Sequence, residues 1–340
     1  KPFESFNLIE ELIRTITKRG PDDRGIWKGN NKNIVFGHTR LSIQDLSKAG
    51  KQPYQSLNKD WIILFNGEIY NQYDLRNELL NHAWIGHSDT ETIAEYISKF
   101  GIDKFRKKAN GMFAIAAYKI SANSLYLMRD KFGEKPLYYF YNDGDFCFSS
   151  TLDALKKYNQ NNLLIDKNVA TNFITYGFIP EKYGIFRKVK SIPPGELIKV
   201  NLNHKMDNLV VTEFPKVQYE GFCNFLPELN GDSLFDEIDK IVNNSVKEKL
   251  IGDQKVGCFL SGGIDSSLIA AYAQNHLNGN LETFSIGFRT SGFDESPFAN
   301  EVSKMIKTKH TCFYLEEKDI LDIAVNLKNI FDEPFADESQ

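Results

Sequence analysis

The sequence has no long hydrophobic run and no excess of charge of one sign. No uninterrupted apolar run approaches the roughly 18 residues that a membrane-spanning helix needs, which excludes the transmembrane class. The 41 Lys and Arg residues nearly balance the 45 Asp and Glu residues, and the formal net charge is -4. Non-specific binding to nucleic acid or to membrane surfaces depends on clustered Lys and Arg. We therefore expect neither nucleic acid nor membrane as a partner.

Cysteines are few, and no two of them are close in the sequence. The four cysteines form no CxxC pair; they are Cys147, Cys223, Cys258 and Cys312. This usage is typical of reduced thiols in a cytoplasmic protein. The chain begins at Lys1 without a basic stretch followed by an apolar segment, so no export signal is indicated. We expect a cytoplasmic location.

A length of 340 residues with 41% apolar content predicts two domains. In the first, covering about 1–200, one apolar face predicts an N-terminal helix that ends at Gly20 and Pro21. Ser88 and Glu91 form a capping box for a later helix, and a further helix is predicted at 73–80. Short β-rich runs lie at 33–36, 61–65, 112–118, 125–128, 137–141 and 146–148. Strands in series with helices set between them predict an α+β layered sandwich.

The segment 201–230 is rich in Asn, Lys, Pro and Glu without clear periodicity, which predicts a crossover or linker. Over 231–340, strands and helices alternate, with strands predicted at 256–260, 283–288 and 311–315. This alternation predicts an α/β doubly wound domain with a parallel sheet. About three strands fit before Gln340, whereas typical sheets hold about four to six, so we expect this second domain to be incomplete.

The segment Leu260–Ser267 reads LSGGIDSS, directly after an apolar strand and before a helix. Two glycines allow a tight turn that directs successive N–H groups into one concavity, and the helix N-terminus adds partial positive charge. Asp265 would repel a bare phosphate, so we expect it to hold Mg²⁺ that bridges phosphate oxygens. The missing Lys excludes a Walker A loop. The alternative is a simple strand-to-helix turn with polar N-cap residues.

The run Ser261–Ser266 resembles the pyrophosphate loop of the ATP pyrophosphatase family, whose members activate a substrate carboxylate or carbonyl by adenylation. That family includes asparagine synthetases, GMP synthetase, NAD synthetase and argininosuccinate synthetase. The resemblance implies ATP and Mg²⁺ as cofactors, and an adenine pocket lined by Leu260 and Ile286. The pyrophosphate would be held by Ser261, Gly262, Gly263, Asp265 and Ser266.

Polar groups in the first half of the chain suggest a second site. Arg40 follows a strand, and its planar guanidinium suits bidentate capture of a carboxylate. Asp89 lies in a first helical turn, where it can receive an ammonium group. The Asn66 side-chain amide and the Gly67 N–H, at the end of a strand, form a two-donor oxyanion hole. Together these groups describe an amino-acid amide substrate. Taken alone, Arg40 more often forms a surface or domain-interface ion pair, and Asn66 with Gly67 more often forms a hairpin turn. Asp89 is about as often only a helix-cap companion.

Four segments, in this order, resemble the class II glutamine amidotransferase domain, which has an N-terminal-nucleophile hydrolase fold: Arg19–Asp22, His38–Ile43, Asn66–Asn71 and Ser88–Glu91. With the pyrophosphate loop, the whole chain resembles the glutamine-hydrolysing asparagine synthetase family. Further matching motifs are Asp130–Tyr138, Ser191–Gly195 and Asp332–Asp337. The resemblance implies contacts to glutamine from Arg40, Leu41, Ser42, Ile43, Gln44, Asn66, Gly67, Glu68 and Asp89.

The family resemblance implies a reaction with two half-sites. Glutamine is hydrolysed in the first domain, and its ammonia reaches the second, where ATP and Mg²⁺ have converted aspartate into a β-aspartyl-adenylate. The small-molecule substrates would be glutamine, aspartate and ATP, and a homodimer is left open. One alternative is a sibling that amidates a surface-sugar uronic acid or forms a β-lactam, because the acceptor pocket is expected beyond Gln340. Another is a catalytically dead glutamine-binding module.

The chain departs from the family at the nucleophile. Family members begin with a cysteine whose thiol attacks the amide while its own α-amine acts as base. This chain begins Lys1-Pro2-Phe3, and Cys147, inside an apolar run, is expected to pack as a small hydrophobe. Either a short strand with the nucleophile precedes Lys1, or the glutaminase has decayed. In both cases we expect residues 1–340 alone not to hydrolyse glutamine.

Overall fold

The computed structural model describes residues 2–29, 34–142, 145–160, 162–203, 210–214, 231–289, 294–334 and 336. The chain forms two compact units, Lys1–Gln218 with Phe331–Gln340, and Tyr219–Ile330. The change of unit falls inside the segment 201–230 predicted as a crossover. That segment contains a strand, Val210–Phe214, while 204–209 and 215–230 lie outside the described residues. The predicted domain functions stay predictions.

The first unit contains eleven strands among the described residues: β1 (Asp23–Lys28), β2 (Val35–Arg40), β3 (Tyr54–Gln55), β4 (Trp61–Ile69), β5 (Gly111–Lys119), β6 (Ser124–Arg129), β7 (Tyr138–Asn142), β8 (Asp145–Ser149), β9 (Val189–Ser191), β10 (Leu197–Asn201) and β11 (Val210–Phe214). Its α-helices are α1 (Pro2–Ile16), α2 (Gln72–Asn77), α3 (Asp89–Phe100), α4 (Ile102–Lys108), α5 (Leu152–Tyr158) and α6 (Lys167–Tyr176). Every predicted β-rich run overlaps one of these strands.

A six-stranded antiparallel sheet, in the order β11-β10-β6-β5-β4-β3, forms the centre of this unit. Because side chains alternate along a strand, Ile63 and Phe65 of β4 pack against α2, α3 and α4. Ile62 and Leu64 pack on the other face, against residues of β2 and β7. Both faces of the sheet are therefore covered, which confirms a layered α+β unit. Helix α1 contacts β2 and α5.

Strand β4 continues through Asn66 and Gly67, so the prediction that the strand ends there is wrong. Gly67 lies opposite Phe113 of β5, and pairing continues to Ile69. The φ of Gly67 is +151°, and a Cβ at this position would lie 2.0 Å from the Met112 carbonyl oxygen. This glycine permits the close approach of β5, and no hairpin turn forms.

Two predicted helix signals act differently from expectation. The N-terminal helix ends at Ile16 and is followed by a 3₁₀ turn. Gly20 has a φ of -150°, so it is no left-handed cap; instead, a Cβ there would lie 2.4 Å from the Thr39 carbonyl carbon. Ser88 does cap α3 by accepting the Glu91 N–H. The Glu91 carboxylate, however, accepts the N–H groups of residues 85 and 86, so only half of the capping box forms.

The second unit alternates helices with parallel strands: α7 (Gly231–Lys249), β12 (Gly257–Phe259), α8 (Ile264–His276), β13 (Glu282–Phe288), α9 (Ser296–Ile306), β14 (Lys309–Leu315) and α10 (Glu317–Ile330). The sheet order is β12-β13-β14, and both pairings are parallel. The predicted parallel sheet is confirmed. The order of these three described strands shows no reversal, so the doubly wound topology stays a prediction. Across the described part of the chain, no helix is long and apolar enough to cross a membrane.

Candidate functional site

A cavity of about 520 Å³ lies in the first unit, where β2 and β4 meet the start of α3. It brings together nearly all the residues predicted to contact glutamine, which are Arg40, Leu41, Ile43, Gln44, Asn66, Gly67, Glu68 and Asp89. Ser42 is not among the lining residues, and its N–H donates to Asp22 Oδ2 at 2.7 Å. Segments that are up to about fifty positions apart in the chain thus share one concavity.

Two carboxyl groups, on Glu68 and Asp89, lie side by side in the cavity wall. Asp89 is 5% exposed and its Oδ2 accepts the Ile69 N–H at 3.2 Å. Burial raises the pKa of both carboxyl groups, and the negative charge of Glu68 raises that of Asp89 further. Two desolvated carboxylates that repel each other are stabilised by a cation. The wall is therefore suited to an ammonium group.

Arg40 lies at the cavity but its guanidinium is engaged by its own loop. Its Nη1 donates to the Ser47 carbonyl oxygen at 2.9 Å, and its Nη2 donates to the carbonyl oxygens of Gln44 and Asp45. A guanidinium can bind a carboxylate with two parallel hydrogen bonds along its Nε–Nη2 edge or along its Nη1–Nη2 edge, and both edges include Nη2. Bidentate capture of a carboxylate by Arg40 would therefore require release of a loop carbonyl. In this conformation Arg40 holds the loop that follows β2.

Asn66 and Gly67 are adjacent on β4, and both line the cavity. The Asn66 amide nitrogen lies 3.5 Å from Ser150 Oγ, at the long limit of a hydrogen bond. Such a weak contact costs little to exchange for a contact to a ligand oxygen. The amide is thus available for the role of oxyanion donor, although the residues lie within a strand and not at its end.

His38 has no role predicted from its sequence context, yet it lines the cavity. Burial lowers the pKa of His38 to about 4, so the imidazole is neutral near pH 7. Its Nε2 lies 3.1 Å from the Phe65 carbonyl oxygen and must therefore be the donor. The buried Nδ1, an acceptor, has no partner among the described residues. No signal in the sequence distinguishes this histidine from one in a core.

Lys135 also lines the cavity, and the motif Asp130–Tyr138 explains how. The buried Asp130 carboxylate accepts N–H groups from residues 113, 132 and 134 at 2.9 to 3.2 Å. Arg129 Nε donates to the Lys135 carbonyl oxygen at 2.7 Å. Two charged side chains thus hold the backbone of this loop in place. The ammonium of Lys135 favours the ionised form of Glu68.

Cys147, on β8, packs among apolar side chains of the first unit, which confirms its predicted role as a small hydrophobe. Burial raises the pKa of its thiol to about 12. Because the thiolate is the nucleophilic form, this thiol is inert near neutral pH. Cys258 and Cys312 are also free thiols, and Cys223 lies outside the described residues.

The predicted phosphate loop joins β12 to α8 in the second unit. Gly262 has a φ of +85°, and a Cβ there would lie 2.6 Å from the Ala299 nitrogen. Ser266 Oγ accepts the Ser261 N–H at 3.2 Å and closes the loop. Gly263 is the N-cap of α8, and no side chain caps this helix. The N-cap position is thus held by Gly263 and not by a serine or Asp265, and the first N–H groups of α8 are available to an anion. The phosphate site itself stays a prediction.

The loop suits Mg²⁺ only as part of a metal–phosphate complex. Asp265 is exposed in the first turn of α8. Among the described residues, no group of three or more His, Cys, Asp or Glu side chains can hold a metal ion. Mg²⁺ is commonly bound by one or two carboxylates together with phosphate oxygens and water. Asp265 fits that arrangement and would supply one oxygen ligand.

The two residues predicted to line an adenine pocket differ in accessibility. The Leu260 side chain is 1% exposed and packs in the core of the second unit. It can reach a base only through its main chain. Ile286, on β13, is 50% exposed and has a free apolar surface. The adenine pocket stays a prediction.

Two glycines with a left-handed φ, Gly262 and Gly279, provide a matched test of the phosphate site. Gly262→Ala is expected to weaken ATP binding at least about tenfold, because the new methyl group strains a left-handed φ and collides with α9. Gly279→Ala is the control, since Gly279 lies outside the loop and has a similar φ of +86°, with no heavy atom within 4 Å of its Cβ position. Titration with MgATP measures both. Equal affinities for the two variants would contradict the site.

Comparison with known proteins is consistent with both sites. A family model described as a glutamine amidotransferase domain matches residues 2–209, and one described as asparagine synthase matches residues 237–340. A putative glutamine-hydrolysing asparagine synthetase of Methanocaldococcus jannaschii is 33% identical over 351 residues, covering 97% of this chain and 66% of the relative. Asparagine synthetase 1 of Bacillus subtilis, also glutamine-hydrolysing, is 32% identical, covering 97% of this chain and 50% of the relative.

The chain thus spans about half to two thirds of the length of these relatives. Among solved structures, a glutamine phosphoribosylpyrophosphate amidotransferase of Bacillus subtilis, complexed with ADP and GMP, has a TM-score of 0.44 at 13% identity. That alignment covers 92% of this chain and 66% of the other. This TM-score is too low to establish a common fold.

Proposed function

Because the chain belongs to the glutamine-hydrolysing asparagine synthetase family, with a glutamine amidotransferase domain at residues 2–209 and an asparagine synthase match at 237–340, we propose that the complete protein makes asparagine from aspartate. The first unit, with an N-terminal-nucleophile hydrolase fold, releases ammonia from glutamine. The second uses ATP and Mg²⁺ to form a β-aspartyl-adenylate, which ammonia converts to asparagine and AMP. The observation that carries the proposal is the buried carboxyl pair of Glu68 and Asp89 beside Asn66.

Glutamine binding follows from the charges of the cavity. The ammonium group of glutamine offers three N–H donors to the carboxyl pair, which lacks a cation of its own at hydrogen-bond distance among the described residues. The substrate carboxylate takes the side of Arg40, whose Nε–H has no partner among the described residues. The side-chain amide then lies at Asn66 and Gly67, where two donors stabilise the oxygen that becomes negative during attack.

No described residue of the cavity supplies a cysteine thiol. We therefore expect residues 1–340 to bind glutamine without hydrolysing it. Glutaminase activity of this chain alone would contradict the assignment of the site.

The synthetase function is tested by aspartate-dependent release of pyrophosphate from ATP by the complete protein. We expect one asparagine and one AMP for each pyrophosphate, with either glutamine or ammonia as nitrogen donor. If pyrophosphate release does not depend on aspartate but does depend on another carboxylate, the protein is a sibling amidotransferase. A uronic acid and a β-amino acid are the acceptors to compare.

The second candidate function is a glutamine-binding module without turnover. Calorimetry distinguishes it from the first. Both candidates predict that glutamine binding weakens in Arg40→Ala and Asp89→Ala. Only the module predicts that the complete protein, whatever residues precede Lys1, binds glutamine and never forms glutamate.

A further inference from the structure

A continuous series of side-chain hydrogen bonds leads from the cavity into the layer of helices. Gln44 Nε2 donates to Glu68 Oε2, and Gln72 Nε2 donates to Gln44 Oε1. Thr92 Oγ1 donates to Gln72 Oε1 at 3.2 Å, sharing its proton with the Ser88 carbonyl oxygen at the same distance. Arg76 Nε donates to Thr92 Oγ1 at 2.7 Å. We call Gln44, Gln72 and Thr92 the amide relay.

The amide relay is buried along its whole length. Thr92 is 0% exposed, Gln72 is 1% exposed and Gln44 is 8% exposed. A buried polar group without a partner destabilises the fold, because it has lost its hydrogen bonds to water. Each amide must therefore present its nitrogen to an acceptor and its oxygen to a donor. The orientation of one link consequently dictates the orientation of the next.

Glu68 determines the direction of the amide relay. An ionised carboxylate only accepts hydrogen bonds, so Gln44 must turn its nitrogen toward Glu68 and its oxygen toward Gln72. Gln72 must then turn its nitrogen toward Gln44 and its oxygen toward Thr92. At the far end, Arg76 is fixed by Trp84, whose ring its guanidinium covers at 3.9 Å, and by the carbonyl oxygens of residues 86 and 88.

The amide relay leaves one oxygen of Glu68 for a ligand. Oε2 is occupied by Gln44, while Oε1 has no hydrogen-bond partner among the described residues, and Glu68 lines the cavity. Two other charged groups act on Glu68: Asp89 on α3 repels its negative charge, and Lys135 attracts it. The orientation of Gln44 therefore decides whether Glu68 faces the cavity as an acceptor.

We propose that Gln72, which lies outside the cavity lining, is a positioning residue of the glutamine site: acting through Gln44, it holds Glu68 as a hydrogen-bond acceptor whose Oε1 receives an N–H of the bound amino acid. This proposal rests on the proposed function of the cavity. Gln72 itself lies behind Gln44 and is expected to touch no substrate. Its effect passes entirely through the direction of the two amides.

The substitution Gln72→Glu tests the direction of the hydrogen bonds in the amide relay without changing the shape of the side chain. When ionised, the new carboxylate has no donor, so Gln44 must turn its nitrogen toward position 72 and its oxygen toward Glu68. Two acceptors then face each other unless Glu68 takes up a proton. We expect glutamine to bind about tenfold more weakly at pH 8, a difference of about 1.4 kcal/mol. Binding should also release more protons than in the unchanged protein.

Proton release is measured by calorimetry with glutamine in two buffers of different ionisation enthalpy. Gln72→Met, which removes the donor and adds no charge, is expected to weaken binding about two- to threefold with unchanged proton release. Gln55→Glu, an identical change at an exposed position of β3, is expected to alter neither quantity. Thermal unfolding of each variant verifies that the fold is kept, and Gln72→Met retains the affinity part of the test if Gln72→Glu unfolds: an affinity equal to that of the unchanged protein would then overturn the proposal.

Affinity within twofold of the unchanged protein in both Gln72 variants, with equal proton release, would overturn the proposal. Weaker binding in Gln72→Glu without additional proton release would also overturn it, because a purely structural disturbance moves affinity alone. Failure of the unchanged protein to bind glutamine would instead refute the proposed function of the cavity. The titration of the unchanged protein therefore separates the two failures.

Discussion

Replacing Asp89 by asparagine is expected to abolish measurable glutamine binding while stabilising the fold at pH 8. The substitution removes the negative charge that faces the ligand ammonium in a buried wall and leaves that ammonium without its charged partner. Truncation of a buried, hydrogen-bonded charge pair costs roughly 2–5 kcal/mol, at least about thirtyfold in Kd. The asparagine oxygen can still accept the Ile69 N–H that now donates to Asp89. The fold should therefore be kept.

The gain in stability follows from the pKa of Asp89, which burial and the charge of Glu68 raise well above its ordinary value. A carboxyl group with a higher pKa in the folded state binds more protons when folded, so its contribution favours folding at low pH and is lost as pH rises. The ordinary pKa of aspartate is about 3.9. Below that pH the contribution of Asp89 to the free energy of unfolding is complete. Above the pKa that Asp89 has in the folded protein, the contribution has disappeared. Asparagine does not titrate and is spared this loss.

Urea unfolding at pH 4 and pH 8 measures the second effect. Asp89→Asn should exceed the unchanged protein in free energy of unfolding at pH 8, and the difference should shrink toward pH 4. Asp236→Asn, at an exposed position of α7, is the matched control and should show no such change with pH. Normal glutamine binding by Asp89→Asn would contradict the assignment of Asp89. So would a free energy of unfolding that, relative to the unchanged protein, is lower at pH 8 than at pH 4.

Gly67→Ala is expected to destabilise the first unit by about 3 kcal/mol or more. The backbone of Gly67 has a φ of +151°, which L side chains rarely adopt, and its Cβ would lie 2.0 Å from the Met112 carbonyl oxygen and 2.7 Å from Phe113 Cα. These atoms belong to the backbone of β5 in the middle of the central sheet. The collision can be relieved only by separating β4 from β5 at the cavity.

Gly101→Ala separates the two causes of this destabilisation. Gly101 has a φ of +85° but no heavy atom within 4 Å of its Cβ position, so its alanine variant should cost only the backbone strain, about 1 kcal/mol. Urea unfolding compares the two variants. Equal destabilisation would mean that the contact between β4 and β5 at Gly67 is looser than described. Since Gly67 lines the cavity, its variant should also lose glutamine binding.

Strand β4 shows how far the sequence predicts this fold. The continuous apolar run 61–65 correctly predicted a strand from Trp61, and every predicted β-rich run overlaps a strand. Asn66 and Gly67, however, are also the commonest pair in two-residue hairpin turns. The reason for this glycine is the carbonyl of Met112, which lies more than forty positions later in the chain. Local patterns contain no information about that contact.

The sequence predicts which residue types form the candidate site, but it does not predict which groups these residues contact. Arg40 was recognised as a carboxylate ligand from the chemistry of guanidinium, yet its Nη donors bind loop carbonyls at Gln44, Asp45 and Ser47. His38 and Lys135 line the cavity without any spacing signal that marks them. Gln72 was missed altogether, because an isolated glutamine in a helix is normally a solvated residue.

By itself, the sequence determined the order and type of most elements, the glycine turn between β12 and α8, and the resemblance to the family; the phosphate and glutamine roles of its residues stay predictions. The elements and the glycine turn depend on periodicity, glycine conformation and helix ends, which act between near neighbours in the chain, whereas the family is identified by its motifs. Only the tertiary structure decided that Glu68 and Asp89 share one buried wall, and that Gln44 and Gln72 orient it. Burial, pKa and hydrogen-bond direction are decided by groups twenty or more positions apart, and those groups meet only after the sheet and helices have packed.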